Sequence, residues 1–440
     1  MQVDSTTLID LSLFYPQEEY SIFHKLNFTH TQIGKDWLHA MFNDPFSDIE
    51  KIRETQQIIA ALRRNASQWP ESITNGTIMV MEKFFDSQLD TMPESPHWLN
   101  ALSYRLFHAT DFSLTRYSLK HFVDFLQGME QLDHLFKKDN GEGLPTVTAL
   151  LKRVNHLMDH PVIQQMLRHS SGTSFNGNQV IHYGKFIKEA YRSASNELIS
   201  IFGRFDAWMS MAAAMDKFDL SFPRFFEEAQ PRIAAQQLYH ILLPEPIPYD
   251  VLMDKESNFI FLTGANMAGK STFIKAVGAA VYLAHLGMGV PANKMELSVF
   301  DGLLSNINVM DNIAKGESYF FNEVQRIRNT ILKINDKRKW LVLIDELFKG
   351  TNIQDAMKCS TVVIKGLIRI HNSLFILSTH LYEIGNELRN YPNISFRFFE
   401  TQVDGEQLRF SYQLKEGISN DRLGYLILKR EKVVELLESL

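Results

Sequence analysis

A glycine-rich loop that ends in Lys270-Ser271 is the stretch of this sequence with the clearest chemistry. Phe261–Ala276 reads FLTGANMAGKSTFIKA, in which Gly264 and Gly269-Lys270-Ser271 have the spacing GxxxxGK[ST] of a phosphate-binding loop. Glycines let backbone N–H groups approach phosphate oxygens, and the positive end of the following helix attracts the same negative charge. We expect Lys270 to reach the β- and γ-phosphates and Ser271 to bind Mg²⁺. The stretch therefore predicts a nucleotide site.

A second group of candidate residues follows two apolar runs farther along the chain. Trp340–Glu346, WLVLIDE, is typical of a buried strand that ends in two carboxylates, and the run SLFILST ends just before His380. We expect Asp345 to hold Mg²⁺ through water and Glu346 to polarise an attacking water as the general base. His380 would sense the γ-phosphate, the alternative being a structural role after the strand. With Lys270, these residues favour ATP hydrolysis over phosphate transfer to a small acceptor.

Alternating strands and helices are predicted around these residues. After Pro248, β-prone apolar runs such as NFIFLT, KWLVLID and SLFILST alternate with helical patterns, which indicates βαβ units and a mainly parallel sheet. A hairpin closed around Asp404-Gly405 and a helix near Asp421 to Leu440 are expected to follow. Residues 1–245 instead show apolar positions at helical spacing between turn signals such as NDPF and NGEGLP. We therefore expect an α + α/β fold with domains at 1–245 and 246–440.

The composition is that of an ordinary globular protein, with 45% hydrophobic and 22% charged residues in 440. The single cysteine, Cys359, excludes an intrachain disulfide. Because neither a signal-like N-terminus nor an apolar run near 18 residues is present, we expect a cytoplasmic protein that does not enter the membrane. The formal net charge of -6 provides no global basic surface for nucleic acid, although Lys152–Arg204 is locally basic.

Several stretches resemble the ATPase domain of the MutS-type family, the DNA mismatch-repair ATPases and their relatives. TGANMAGKST is similar to the family's TGPNMGGKST, and DELFKGTN is similar to DEIGRGTS, from which it departs at Phe348, Lys349 and Asn352. DNIAKGESYFFNEV resembles the family's signature segment, with Phe320 and Glu323 on matching positions, and LSTHLYEI resembles ATHYxEL. Upstream, IFHKLNFTHTQIGKDWL and RFDAWMSMAAAMDKFDLSFPRF resemble the helical core and its re-entry into the ATPase domain.

The resemblance implies a P-loop ATPase domain of the ABC type after a helical core and lever domain whose clamp is reduced or absent. It implies ATP and Mg²⁺ as cofactors, the metal at Ser271 and Asp345, and catalytic roles for Lys270, Glu346 and His380. Tyr412 would stack on the adenine, the alternative being cross-strand packing. The ATP-binding positions carried over by the resemblance are Gly264, Asn266, Met267, Ala268, Gly269, Lys270, Ser271, Thr272, Ser318 and Tyr412.

The resemblance also implies a partner subunit and a use for the nucleotide. In this family two ATPase domains pair, so a homodimer with composite ATP sites is expected, in which Ser318 acts on the partner's γ-phosphate. The nucleotide state then shifts helical levers that grip DNA. Because the core begins within the first dozen residues, we do not expect intrinsic mismatch recognition.

The leading hypothesis is therefore an ATPase coupled to structured or branched DNA, with Lys185 and Lys188 as the first candidates for phosphate contacts. The alternative is an ATP-switched protein-interaction module without direct DNA binding, which the acidic balance of residues 1–250 favours. A P-loop kinase for a small substrate is disfavoured, because the paired carboxylates and the Ser318 segment fit hydrolysis at a dimer interface.

Overall fold

The computed structural model describes residues 1–94, 97–138, 144–169, 174–307, 319–404 and 407–419, together with Lys432, Val433 and Leu436. The chain forms two compact units. The sheet unit comprises Met1–Leu26, Asp44–Arg53 and Met215–Leu440, and the helical unit comprises Asn27–Asn43 and Glu54–Ala214. This division differs from the expected ranges 1–245 and 246–440, because Met1–Leu26, Asp44–Arg53 and residues 215–245 all belong to the sheet unit. The expected helix near Asp421 to Leu440 lies outside the described residues apart from those three positions.

The helical unit contains nine helices among the described residues, two of which, α4 and α11, also contribute residues to the sheet unit. Several begin at a side-chain cap, as at Thr74 and Asn176, and others have a proline in the first turn, as at Pro145 and Pro161. These signals agree with the helical pattern of the sequence, but the expected all-helical region 1–245 also contains three strands, Gln2–Val3, Arg224–Phe226 and Ile233–Leu238. The helices are α3 (Gln32–Asn43), α4 (Ile49–Arg64), α5 (Asn75–Asp86), α6 (Trp98–Phe107), α7 (Ala109–Lys138), α8 (Pro145–Met158), α9 (Pro161–Leu167), α10 (Gly177–Ala190) and α11 (Arg192–Lys217).

A buried carboxylate on α11 caps the N-terminus of α3. Asp206 is fully buried and accepts hydrogen bonds from the backbone N–H of His30 at 3.0 Å and of Thr31 at 2.9 Å, and from the Thr31 hydroxyl at 2.7 Å. The hydrogen bond that Asp206 accepts from the His30 ring also raises the pKa of His30. Gly34 is required beside it, because a Cβ there would lie 2.1 Å from Asp206 Oδ2. The two upstream stretches singled out in the sequence thus meet at one polar contact.

We predict that Asp206→Ala lowers the free energy of unfolding by about 3 kcal/mol, because it removes the acceptor of the His30 N–H and leaves the N–H and hydroxyl of Thr31 buried without theirs. Urea unfolding followed by tryptophan fluorescence measures the loss. Asp36→Ala is the matched control, since Asp36 lies on the same helix α3 with an exposed contact to Gln32, and it should cost less than about 0.5 kcal/mol. Equal losses for the two variants would refute the capping role.

The sheet unit is built on a seven-stranded sheet in the order β1-β7-β8-β9-β5-β10-β11, beside a four-stranded sheet in the order β2-β6-β3-β4. All neighbours in the larger sheet are parallel except β10 and β11, so the predicted mainly parallel sheet and the hairpin are confirmed. The strands are β1 (Gln2–Val3), β2 (Arg224–Phe226), β3 (Ile233–Leu238), β4 (Tyr249–Met253), β5 (Phe259–Thr263), β6 (Lys294–Ser298), β7 (Gly302–Asn306), β8 (Trp340–Asp345), β9 (Ser373–Ser378), β10 (Ile394–Asp404) and β11 (Gln407–Glu416).

Helices accompany these strands and complete the core of the sheet unit. They are α1 (Ser5–Asp10), α2 (Ile22–Leu26), α12 (Lys270–His285), α13 (Tyr319–Ile334), α14 (Ile353–Leu367) and α15 (Glu383–Leu388). Every residue of β5, β8 and β9 is buried, which is expected for central parallel strands covered on both faces. The N-terminal segment joins this unit because Gln2 pairs in parallel with Gly302 of β7. None of the helices in the described ranges combines the length and apolar character that a membrane span needs.

His285, the last residue of α12, is fully buried and uncharged. Its Nε2 accepts a hydrogen bond from the backbone N–H of Phe300 at 2.9 Å, so the ring proton lies on Nδ1, which donates to the carbonyl of Val281 at 2.8 Å. Burial lowers the pKa of His285 to about 4. The folded state therefore resists protonation at pH values where an unfolded histidine accepts a proton.

We predict that the free energy of unfolding falls as the pH is lowered from 6.5 towards 4, since the unfolded chain then binds more protons than the folded one. Protonation of His285 in the unfolded chain lowers the free energy of unfolding by up to about 1.4 kcal/mol per pH unit in this window, and above pH 6.5 this loss is absent. Urea unfolding at pH 7.0 and 5.5 should show a smaller decrease for His285→Gln than for the wild type. The exposed His371 provides the control, because His371→Gln should keep the wild-type decrease. A decrease unchanged in His285→Gln would contradict the assignment.

Candidate active site

The predicted phosphate loop connects β5 to α12, where its backbone adopts conformations that favour glycine. The φ angles of Gly264, Met267 and Gly269 are 137°, 66° and 110°. A Cβ on Gly264 would also lie 3.2 Å from the carbonyl oxygen of Phe399, so a side chain at this position would be both strained and crowded. Within the loop Ala268 is buried, whereas Asn266 and Met267 are exposed.

Lys270 is the first residue of α12, and its side chain points towards the loop. Its ammonium group donates hydrogen bonds to the carbonyls of Gly264 at 2.8 Å and Ala265 at 2.9 Å. Burial lowers the pKa of Lys270, while the carboxylates of Glu346 and Asp345 act in the opposite direction. The loop and the two carboxylates after β8 are therefore close enough to interact electrostatically, as the sequence predicted for a single site.

Ser271 and Asp345 form the oxygen pair that the sequence assigned to a metal. The Ser271 hydroxyl donates to Asp345 Oδ2 at 2.5 Å, and the Ser378 hydroxyl donates to the other carboxylate oxygen, Oδ1. Ser378 was not predicted, but its place follows from the sheet, because Asp345 pairs with Ser378 in the register of β8 and β9. A hydroxyl and a carboxylate oriented in this way are ligands that suit Mg²⁺.

Glu346 follows Asp345 with a left-handed backbone, φ 65°, and its N–H donates to the carbonyl of Ser378 at 3.1 Å. Its Oε1 contacts Nε2 of His380, and its Oε2 lies 3.1 Å from Nζ of Lys349. Burial would raise the pKa of Glu346, but the hydrogen bond and charge of His380, together with Lys349, lower it to about 2. Glu346 is thus an ionised carboxylate held at both oxygens. In the sequence Lys349 was noted only as a difference from the family motif, and its contact with Glu346 was not predicted.

A cavity of about 770 Å³ opens beside the loop. Tyr412 on β11 forms part of its wall, with a φ of 52° and 40% of its surface exposed. Tyr412 also lies next to the loop, since a Cβ on Gly269 would be 3.5 Å from its ring. The residues that line the cavity are Leu243, Glu245, Pro246, Ile247, Tyr249, Ala265, Asn266, Met267, Gly269, Lys270, Ser271, Thr272, Glu346 and Tyr412.

The part of the cavity wall formed by Leu243–Tyr249 was not predicted from the sequence, where the proline cluster was interpreted as a turn signal. Its only signal was the presence of apolar residues among the prolines, and Leu243 and Ile247 are both partly exposed at the cavity. The structure thus brings together the loop, Asp345, Glu346, His380 and Tyr412. Ser318 lies outside the described residues.

Several basic side chains of the stretch Lys152–Arg204 in the helical unit are engaged in internal contacts. Lys188 donates to the carbonyls of Phe85 at 3.0 Å and Ser87 at 2.7 Å at the end of α5, and burial lowers the pKa of Lys188. This is a helix C-terminal cap rather than a free surface charge. Other basic side chains are also paired: Arg153 with Glu197, Lys185 with Glu189 and Arg192 with Asp86.

Comparison with known proteins finds that the part of the chain that carries the candidate site is similar to DNA mismatch repair proteins. Residues 260–435 match the family model described as MutS domain V. The DNA mismatch repair protein MutS of Thermotoga sp. (strain RQ2) is 31% identical over 180 residues, which cover 41% of this chain and 22% of the relative. The MutS of Persephonella marina is 30% identical over 196 residues, covering 44% and 22%.

The similarity extends farther along the chain for one eukaryotic relative. The DNA mismatch repair protein MSH3 of Vanderwaltozyma polyspora is 26% identical over 322 residues, which cover 69% of this chain and 31% of the relative. The chain therefore spans between about a fifth and a third of the length of these relatives. Residues 260–435, the part of the chain that is similar to MutS domain V, contain the phosphate loop, the two carboxylates, His380 and Tyr412.

Proposed function

We propose that this protein is a Mg²⁺-dependent ATPase whose nucleotide binds in the cavity beside the phosphate loop. The observation that carries the proposal is the contact between Ser271 of the loop and Asp345 of β8, with Lys270 and Glu346 close enough to interact electrostatically. The loop also fits a polyphosphate, because Gly264 and Gly269 have backbone angles that let N–H groups face an anion. We assign to this function an ABC-type P-loop arrangement of the sheet unit, to which residues 246–440 contribute the site.

Within this proposal, different side chains of the site would bind the metal, bind the phosphates and activate water. Ser271 and Asp345 would hold Mg²⁺, which when bound withdraws charge from phosphate oxygens. Lys270 would neutralise charge on the β- and γ-phosphates, and His380 would contact the γ-phosphate. Because the pKa of Glu346 is about 2, its carboxylate is ionised at neutral pH and would orient and polarise the attacking water through a hydrogen bond.

We further propose that two copies pair, with composite ATP sites to which Ser318 contributes in trans, and that hydrolysis is coupled to DNA. The relatives are named as DNA mismatch repair proteins, which supports DNA as the partner. Within this proposal the preferred ligand is structured or branched DNA, the helical unit acts as core and lever, and the protein is cytoplasmic.

We predict that the wild type hydrolyses ATP in the presence of Mg²⁺ and that Glu346→Ala lowers kcat by roughly 100-fold or more while ATP still binds. The rates should be measured with duplex, mismatched, branched and single-stranded DNA at one stated salt concentration. Stimulation that is strongest with branched DNA is the expected outcome. The exposed Glu387, which contacts Lys365, supplies the matched control, because Glu387→Ala should hydrolyse ATP at the wild-type rate.

Two outcomes would count against the proposal in different ways. Hydrolysis by Glu346→Ala at the wild-type rate would show that the carboxylate is misassigned. Hydrolysis that responds equally to every DNA, or more strongly to a mismatch than to a branch, would overturn the proposed DNA preference while leaving the ATPase intact.

We predict that Tyr412→Ala raises the Kd for ATP roughly tenfold, because the exposed ring on the cavity wall would stack on the adenine. Competition titrations with ATP and with inorganic tripolyphosphate measure the effect. Tyr412→Phe keeps the ring and should bind ATP nearly as the wild type does. If Tyr412→Ala weakens ATP and tripolyphosphate equally, the tyrosine acts through packing and not through the base.

A second candidate function is an ATP-switched protein-interaction module without direct DNA binding. It is favoured by α6, whose exposed face is apolar: Phe107 is 81% exposed and Leu106 69%, and Trp98, Leu99 and Leu102 are also exposed. Such a face matches the core of a protein–protein interface better than a phosphate backbone. The internal pairing of the basic stretch points the same way. An electrophoretic shift with the same DNA panel separates the two candidates, since this one predicts no ATP-dependent DNA binding.

A further inference from the structure

A buried carboxylate on α13 accepts hydrogen bonds from the backbone of the loop that follows β8. Glu323 is only 4% exposed, and its Oε1 accepts a hydrogen bond from the backbone N–H of Lys349 at 3.0 Å. Its Oε2 accepts a second bond from the N–H of Gly350 at 3.1 Å. Consecutive N–H groups that face one anion form a small anion-binding site in the backbone. A carboxylate of the same chain fills this site.

Two further contacts fix the same loop against the first turn of α13. The rings of Phe348 and Phe320 lie with their centroids 5.7 Å apart, and Phe348 is buried although its φ is 59°. A Cβ on Gly350 would lie 2.8 Å from the backbone nitrogen of Phe320, so the loop approaches α13 as closely as glycine allows. The loop and the start of α13 therefore form one packed element.

The loop in turn carries a side chain into the candidate active site. The amide of Lys349 is held by Glu323, and the Lys349 side chain reaches Glu346 with Nζ 3.1 Å from Oε2. The other oxygen of Glu346 contacts His380. The orientation of the Glu346 carboxylate thus depends on where the loop places Lys349, and the position of the loop depends on Glu323.

We propose that Glu323 is a positioning residue for ATP hydrolysis, which acts on Glu346 through the loop and Lys349. This inference rests on the proposed function of the site. Glutamate suits the task because both its oxygens accept, whereas the amide of glutamine offers one acceptor and one donor group. Glu323→Gln therefore keeps the size of the side chain but leaves one of the two loop N–H groups without its bond.

The expected effect of Glu323→Gln is a fall in kcat of roughly 10- to 100-fold, because a small displacement of the Lys349–Glu346 pair disturbs the orientation of water. The KM for ATP should stay within about twofold of the wild type, since Glu323 does not line the cavity. Thr330→Val is the matched control on the same helix, because it removes the hydroxyl that accepts a buried hydrogen bond from Asn306 and donates to the carbonyl of Arg326. It should lower stability and leave kcat unchanged.

A double-mutant cycle separates positioning from a merely structural role. Lys349→Met should lower kcat, and the double variant Glu323→Gln/Lys349→Met should be no slower than the slower single variant, because both changes break one chain of contacts. Losses that multiply, an unchanged kcat in Glu323→Gln, or a kcat loss of the same size in Thr330→Val would each overturn the proposal.

A second readout does not require hydrolysis and keeps the inference testable if the proposed ATPase activity fails. Acylation of lysines by an amine-reactive reagent, read by mass spectrometry, reports how firmly Nζ of Lys349 is held. Glu323→Gln should increase the labelling of Lys349 by roughly two- to fivefold relative to the exposed Lys358, as should Glu346→Ala. Unchanged labelling in Glu323→Gln, with increased labelling in Glu346→Ala, would overturn the proposal independently of any result on ATP.

Discussion

The parallel pairing of β8, β9 and β5 is the constraint on which the candidate site depends. Asp345 pairs with Ser378, and Leu262 pairs with the same residue from the other side, so all three strands end at one edge of the sheet. Because successive side chains of a strand face opposite sides, a slip of one residue between β8 and β9 would separate the Asp345 carboxylate from Ser378 and Ser271. The fully buried strands make such a slip costly.

This constraint explains which parts of the site could be predicted from the sequence. The loop Gly264–Thr272 and the pair Asp345-Glu346 are each continuous stretches, and both directly follow an apolar run that fixes their place at the sheet edge. Their proximity then follows from the rule that parallel strands end together. The mainly parallel sheet was predictable for the same reason, because strands and helices alternate visibly in the apolar pattern.

Other features depend on contacts that no local pattern records. Strand β1 has only two residues, too few for a periodic signal, so no pattern in the sequence indicates that Met1–Leu26 joins the sheet unit. Lys188 was read as a surface charge, but the end of α5 that it caps is about a hundred residues away in the chain. The hydrogen bonds from the loop to Glu323 likewise join positions 26 and 27 residues apart. The sequence pattern indicated only that Glu323 lies on a position that matches the family's signature segment.

The balance of charge in the site leads to a final point about how it would attract phosphate. Two carboxylates, Asp345 and Glu346, face two ammonium groups, Lys270 and Lys349, at close range. These side chains largely offset one another, so their summed charge does not favour a polyanion strongly. The attraction would come instead from the N–H groups of the glycine-rich loop and from the N-terminus of α12, which begins at Lys270. The loop geometry at Gly264 and Gly269 is therefore as important for binding as the lysine itself, because a strained or crowded backbone there would turn away the N–H groups that supply the field.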